Sequence, residues 1–172
     1  MKKRVILKGN DEKLREGVKT LQYEIRHLHY AFRMIFKAKD DIYLKNISIE
    51  SFLIHWRNLI DFLYKSSKNK DDDILSIDYV NDVKRWEEKR GKKTRYLIEE
   101  HNDVNKYLAH ITYKRIEASK QWEFSQMLEE LIRKFRMFVE HVSEERKKWF
   151  DLNSLEELKI RDFEIVDGTY SN

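Results

Sequence analysis

Cysteine and proline are absent from this chain of 172 residues, and it contains only four glycines. The absence of cysteine excludes disulfides, thiolate metal sites and cysteine nucleophiles, and it is typical of proteins in a reducing compartment. The absence of proline and the scarcity of glycine favour long helices joined by short loops. Four scattered glycines also exclude a phosphate-cradling loop, a dinucleotide-binding fingerprint and a nucleophile elbow.

Long apolar runs are also lacking. The first ten residues, MKKRVILKGN, are basic, but their apolar run is only three residues long, which is too short for a signal peptide. No later segment is long and apolar enough to span a bilayer. The sequence therefore predicts a soluble, cytoplasmic protein that does not associate with membranes.

One stretch of the chain is exceptionally poor in charge. Charged residues make up 38% of the whole sequence, yet residues 51–64 contain only Arg57 and Asp61. At about 100° per residue, the apolar residues of this stretch fill one broad helical face. We expect this helix at the centre of the fold, and the polar groups on its second face then need partners.

Apolar periodicity predicts four further helices around this central one. The five expected helices cover about residues 11–39, 47–65, 74–90, 94–119 and 121–150. We predict an all-α antiparallel bundle of about five helices that comprises residues 1–150 as one domain. An acidic carboxy-terminal tail then covers residues 151–172.

The first helix carries a strict apolar stripe in which residues follow each other at intervals of four and three. Its members are Leu14, Val18, Leu21, Ile25, Leu28, Phe32 and Ile35. Such a narrow stripe is typical of a helix in a bundle. Alternatively, it is the contact surface of a homodimer.

The net charge of +4 conceals an asymmetry along the chain. The tail holds six acidic and two basic residues, so residues 1–150 carry 33 basic residues (35 less 2) and 25 acidic residues (31 less 6), a net +8. Seven basic residues fall within one short stretch: Lys84, Arg85, Lys89, Arg90, Lys92, Lys93 and Arg95. This stretch predicts a surface that binds the phosphate backbone of RNA. Alternatively, it is a solvated helix end, where the helix dipole favours Lys and Arg.

Polar residues on the second face of the central helix form the candidate catalytic site. Arg57 and Asp61 lie roughly in line along the helix, and His55 lies on the neighbouring line. His101 and Arg115 stand on the inner stripe of the fourth helix, where apolar residues are expected. We predict that these five residues form one hydrogen-bonded, ion-paired cluster. The cluster either fixes the register of the two helices or acts on a bound anion.

Glu24 and His27 form a Glu-x-x-His pair, a motif that also occurs in di-iron helical bundles. A di-iron site needs a second such pair and two further glutamates. Both residues also fall off the apolar stripe of the first helix. We therefore predict neither a metal site nor a cofactor.

Two segments, HWRNLIDF (residues 55–62) and AHITYKR (residues 109–115), resemble a motif pair of uncharacterised bacterial helical proteins. The size of the chain and the Arg57-Asn58 step also resemble the HEPN superfamily. This resemblance implies a small helical bundle that binds or cleaves RNA within a toxin or defence system. The catalytic motif of that family is an arginine followed, after four to six residues, by a histidine.

No histidine lies at that distance after Arg57. Arg95 with His101, and Arg136 with His141, do match the spacing, but such matches arise by chance in a chain rich in arginine. Arg136 and His141 also lie about 140° apart around their helix, so a shared site would need a second copy across a two-fold axis. The basic stretch and the resemblance to the HEPN superfamily predict RNA binding or cleavage. The alternative is a non-enzymatic or homo-oligomeric interaction bundle whose polar cluster is purely structural.

Overall fold

The computed structural model describes residues 10–66, 73–108, 120–150 and 168–169. Its helices are α1 (Asp11–Lys37), α2 (Ile42–Tyr64), α3 (Val83–Arg90), α4 (Arg95–Leu108), α5 (Phe124–Glu140) and α6 (Glu144–Lys147), with a 3-10 turn at Ser76–Asp78. The two-residue strands β1 (Gln121–Trp122) and β2 (Gly168–Thr169) pair antiparallel. The prediction of an all-α helical bundle is confirmed.

α1 begins at a polar cap, because the side chain of Asn10 accepts a hydrogen bond from the backbone N–H of Lys13 at 3.0 Å. The seven residues of its predicted stripe are only 1–5% exposed. They belong to the core that α1 forms with α2 within one chain. The stripe is therefore not a free surface, and a homodimer would need a different contact.

α2 lies at the centre of the bundle. Its innermost residues are 0–1% exposed, and they are Ile49, Phe52, Leu53, Trp56, Leu59, Ile60 and Leu63. The indole Nε1 of Trp56 donates to the carbonyl of Met127 at 3.0 Å, which fixes α2 against α5. The helix begins five residues earlier than predicted, because the side chain of Asp41 accepts a hydrogen bond from its first turn at 2.9 Å.

Two of the predicted helices are interrupted. The sequence predicts one helix over residues 74–90, but the Asp82 side chain accepts a hydrogen bond from the backbone at 3.0 Å and starts α3 there. Residues 121–150 likewise hold β1, α5 and α6, and the hydroxyl of Ser143 caps α6 at 3.3 Å. The apolar spacing continues through both caps, so periodicity alone does not reveal that the helices are interrupted there.

The predicted fourth helix is described only as far as Leu108, and residues 109–119 lie outside the described residues. Of the tail, the structure describes β2, whose Gly168 pairs with Trp122 of β1. Within the described part of the chain, no helix has the length and apolarity needed to cross a membrane.

Candidate functional site

The contact between α2 and α4 centres on Asp61 and His101. Nε2 of His101 lies 2.8 Å from Oδ1 of Asp61, and each side chain is 16% exposed. Burial raises the pKa of Asp61, but the hydrogen bonds and charges of His101 and Lys65 outweigh it and lower this pKa to about 2. The carboxylate is therefore ionised at neutral pH and can only accept, so Nε2 of His101 carries a proton.

The second ring nitrogen of His101 faces Asn105, one turn further along α4. Its Nδ1 lies 3.4 Å from Nδ2 of Asn105, a distance at which a hydrogen bond is weak. In the neutral imidazole with its proton on Nε2, Nδ1 holds a lone pair. Asp61 thus orients a histidine whose other nitrogen is basic, which is the arrangement of a general base.

Two lysines complete the surroundings of Asp61. Nζ of Lys65 lies 3.0 Å from Oδ2, and Nζ of Lys93 lies 3.9 Å from Oδ1. One carboxylate thus faces two ammonium groups, which leaves an excess positive charge. Burial lowers the pKa of Lys93, the charge of Asp61 opposes this, and the charges of Lys65 and Arg90 lower it further. A bound anion would relieve the repulsion between these cations.

A second carboxylate–histidine pair joins α1 to α2. Nδ1 of His55 lies 2.8 Å from Oε2 of Glu24, and Nδ2 of Asn58 donates to the same oxygen at 3.1 Å. Burial raises the pKa of Glu24, but these hydrogen bonds and the charges of His55 and His27 lower it overall. The His55 and Glu24 side chains are 13% and 17% exposed. This pair holds the predicted catalytic residue His55 against α1.

The Glu-x-x-His pair of α1 takes part in this second cluster. Its His27 ring lies 4.0 Å from the ring of Tyr23 and 5.3 Å from that of His55, measured between centroids. Among the described residues, no three His, Asp or Glu side chains are placed to hold a metal ion. Glu24 instead accepts hydrogen bonds from α2.

Arg57 lies one turn before Asp61 on α2, on the side away from His55. Its Nε is buried and has no hydrogen-bond partner within the described part of the chain. An unsatisfied buried donor costs roughly 1–3 kcal/mol, so this N–H favours a ligand that accepts. Arg115, the fifth predicted catalytic residue, lies outside the described residues. His55 lies about 160° from Arg57 around α2 and pairs with Glu24, so it does not join the cluster at Asp61. We call the remaining groups around Asp61 the α2 face: Arg57, Asp61, Lys65, Lys93 and His101.

The predicted RNA-binding stretch divides into outward and inward residues. Five of its side chains are exposed: Lys84, Arg85, Lys89, Lys92 and Arg95. Lys93 is half-buried beside Asp61. The outward residues can meet a phosphate backbone without any change of the fold.

Arg90 lies in the interior instead. It is only 7% exposed, and its Nη1 donates to the carbonyl of Leu63 at 2.6 Å. Its guanidinium lies 5.3 Å from the ring of Tyr64 and 5.9 Å from that of Trp86. Arg90 thus binds the carboxy-terminal end of α2, and we leave it out of the RNA-binding surface.

In neither arginine–histidine pair with the family's spacing do the two side chains meet at one site. The side chain of Arg95 is 92% exposed and binds Glu99 at 2.7 Å, whereas His101 faces Asp61. His141 lines a groove of about 790 Å³, and its Nδ1 donates to the carbonyl of Met137 at 2.9 Å. Exposed Arg136 is not among the residues that line that groove.

Sequence reasoning missed a cleft between α4 and α5. Its volume is about 390 Å³, and its lining comprises Thr94, Tyr96, Gln126, Glu129, Glu130 and Arg133. These residues come from two distant parts of the sequence and show no motif. The arrangement depends on how α5 packs beside α4, which spacing along one helix does not reveal.

Comparison of the chain with protein-family models, with curated proteins and with solved structures found no match. The resemblance to the HEPN superfamily accordingly stays a prediction. Any function has to be argued from the side chains of the α2 face and their surroundings.

Proposed function

We propose that this protein binds single-stranded RNA across the α2 face and cleaves it there, as the HEPN resemblance implies. The supporting observation is the contact of 2.8 Å between Asp61 and His101, with two lysine ammonium groups beside it. It combines an oriented imidazole with excess positive charge at a partly exposed surface. Phosphodiester cleavage needs these two elements, a base and a group that stabilises charge on the phosphate.

In the proposed reaction, Nδ1 of His101 takes the proton of a ribose 2′-hydroxyl. Asp61 keeps its hydrogen bond with Nε2 and stabilises the imidazolium that forms. The 2′-oxygen forms a bond to phosphorus, and the bond between phosphorus and the 5′-oxygen breaks. The leaving oxygen takes a proton from water, and the His101 imidazolium gives its proton to the hydroxide that remains. The products are a 2′,3′-cyclic phosphate and a 5′-hydroxyl.

Three cations of the α2 face are available for the phosphate. Lys65 and Lys93 supply the excess positive charge beside His101. Arg57 offers an N–H donor that has no partner within the described residues. The exposed lysines and arginines of residues 84–95 extend the positive surface along the chain and strengthen binding without reading the base sequence.

We propose that this protein acts in the cytoplasm. A chain without cysteine suits the reducing cytoplasm, where RNA is the substrate that a toxin or defence nuclease meets. His55, held by Glu24 at 2.8 Å, lies on another side of α2, so the reaction proposed here depends on His101 alone as its base. We infer no cofactor for this reaction because its base and its cations are all side chains.

The alternative is a non-enzymatic interaction bundle in which Asp61 and His101 only fix α2 against α4. Exposed apolar side chains favour this alternative. Tyr43 and Ile47 at the start of α2 are 80% and 64% exposed, and Tyr30 of α1 is 67% exposed. Apolar groups at the surface are typical of protein contacts, including contacts between copies of one chain.

Cleavage of labelled single-stranded RNA by purified protein distinguishes the two functions. We expect wild-type protein to give products with cyclic phosphate ends. His101→Gln keeps an N–H donor for Asp61 but lacks a base, so cleavage should fall by about 100-fold or more. His29→Gln, a substitution on α1 outside the α2 face, is the matched control and should cleave normally. RNA that stays intact with wild-type protein would favour the interaction bundle.

A further inference from the structure

The cleft between α4 and α5 adjoins the α2 face through one side chain, Tyr64. Nζ of Lys93, which lies 3.9 Å from Asp61, is 5.8 Å from the centroid of the Tyr64 ring. Two residues that line the cleft act on the pKa of Tyr64: the charge of Glu130 raises it and the charge of Arg133 lowers it. At about 390 Å³ the cleft falls within the size range of small-molecule sites.

Two phenol hydroxyls beside the cleft are buried without a partner. Tyr96 lines the cleft, and its Oη has no hydrogen-bond partner within the described part of the chain. The same holds for Oη of Tyr64, whose residue is only 8% exposed. Buried polar groups are normally satisfied, and leaving them unpaired destabilises the fold. An acceptor that enters the cleft would satisfy such a hydroxyl.

Both phenols stay protonated, so each hydroxyl can donate a hydrogen bond to an acceptor. Burial, followed by the charge of Glu130, raises the pKa of Tyr64 to about 12. Burial, followed by the charges of Glu100, Glu123 and Glu130, raises the pKa of Tyr96 as well. At neutral pH the cleft thus presents the phenol donor of Tyr96 on the side of α4, while Tyr64 lies beside it at the end of α2.

α5 presents acceptors on the opposite side. Nη2 of Arg133 lies 2.7 Å from both carboxylate oxygens of Glu130, which fixes the orientation of this carboxylate. The Glu130 side chain is 18% exposed, and Glu129 beside it also lines the cleft. A complementary guest carries N–H donors for a carboxylate and a carbonyl oxygen for a phenol.

Among the RNA bases, guanine has two adjacent N–H donors, at N1 and N2, next to the carbonyl acceptor O6 on one edge. We propose that the cleft is a nucleobase subsite for guanine, in which Glu130 accepts from N1 and N2 and Tyr96 donates to O6. This inference rests on the proposed function, because it assigns a preferred base to the RNA that lies on the α2 face. A phosphate at Lys93 and a base in the cleft would then lie on the two sides of Tyr64.

Isothermal titration calorimetry with GMP and AMP tests this subsite on the intact protein. We expect GMP to bind at least about tenfold more tightly than AMP, because adenine lacks the paired donors. Tyr96→Phe should weaken GMP binding by about fivefold without lowering the melting temperature, because it removes a hydroxyl that has no partner among the described residues. Tyr30→Phe, which changes an exposed tyrosine of α1, is the matched control and should leave GMP affinity unchanged.

Equal affinities for GMP and AMP, or no GMP binding at all, would overturn the inference and show that the cleft is not a guanine subsite. An unchanged GMP affinity in Tyr96→Phe would also overturn it. The His101→Gln variant separates this result from the proposed function, because it should keep its preference for GMP while losing cleavage. If GMP is preferred but wild-type protein cleaves no RNA, the subsite stands and the proposed function fails.

Discussion

Nε2 of His101 lies 2.8 Å from Oδ1 of Asp61, so a carboxylate of the central helix holds a histidine of its neighbour. Both side chains are 16% exposed, which places the contact at the edge of the bundle instead of inside a sealed core. Partial burial strengthens the electrostatic interaction, because less water screens it. The same partial exposure lets a ligand reach the pair, so one contact can serve stability and chemistry together.

Asp61→Asn should lower the free energy of unfolding by about 2 kcal/mol at neutral pH. The reason is that folding lowers the pKa of Asp61 from 3.8 to about 2. Because the folded-state pKa is the lower one, the stabilisation is fully present above pH 3.8 and is lost as the pH falls through about 2. Urea unfolding of both proteins at several pH values measures this difference. Equal stabilities at neutral pH would show that the contact does not stabilise the fold.

Arg57→Ala should change stability little and weaken RNA binding. Its Nε makes no hydrogen bond within the described residues, so truncation breaks no contact of that atom, whereas a bound phosphate would lose a donor. Thermal melts and fluorescence anisotropy with labelled RNA measure the two effects. Arg33→Ala, an exposed substitution on α1, is the control. A large fall in melting temperature for Arg57→Ala would indicate a buried ion pair instead of a ligand-binding group.

Replacing Lys89 and Lys92 with Ala should weaken RNA binding and flatten its dependence on salt. For each phosphate contact that is lost, RNA binding releases about one counterion fewer. The melting temperature should not change, because both side chains are exposed. Arg90→Ala is the contrasting variant. It should destabilise the fold by about 1–3 kcal/mol, because it removes a buried hydrogen bond to the carbonyl of Leu63, which then keeps only the Ser76 hydroxyl as donor. A salt dependence that does not change in the double variant would exclude these lysines from the RNA-binding surface.

Gly17→Ala should destabilise the protein, although Ala normally stabilises a helix interior relative to Gly by roughly 1 kcal/mol. A Cβ at this position would collide with Oη of Tyr79, which donates to the carbonyl of Leu14 at 3.1 Å. Urea unfolding measures the sign of the change. A more stable Gly17→Ala protein would show that Tyr79 can move away without cost.

The helical bundle could be predicted because the apolar periodicity of α1 is strong and α2 is densely apolar, and both features agree with the burial of these helices. The interruptions at Asp82 and Ser143 could not, because a cap is a local hydrogen bond that competes with an unbroken apolar period. Within the site, Asp61 and His101 could be identified because polar groups on mostly apolar helix faces need partners.

Other parts of the site depend on tertiary packing. Lys93 reaches Asp61 only because the turn after α3 folds back beside α2, and no spacing in the sequence encodes that distance. Arg90 is the opposite case. Its position in a basic stretch predicts exposure, but its long side chain folds inward and donates to the last turn of α2.

Nuclear magnetic resonance of histidine side chains tests the central claim, that RNA lies against the Asp61–His101 pair, most directly. The protein is labelled with ¹⁵N at histidine and titrated with a single-stranded RNA whose 2′-hydroxyls are methylated, so that it binds without being cleaved. We predict that the ring nitrogen signals of His101 shift in proportion to the bound fraction measured by anisotropy, while those of His29 stay in place. RNA binding that leaves the His101 signals unmoved, or no binding even at low salt, would contradict the account.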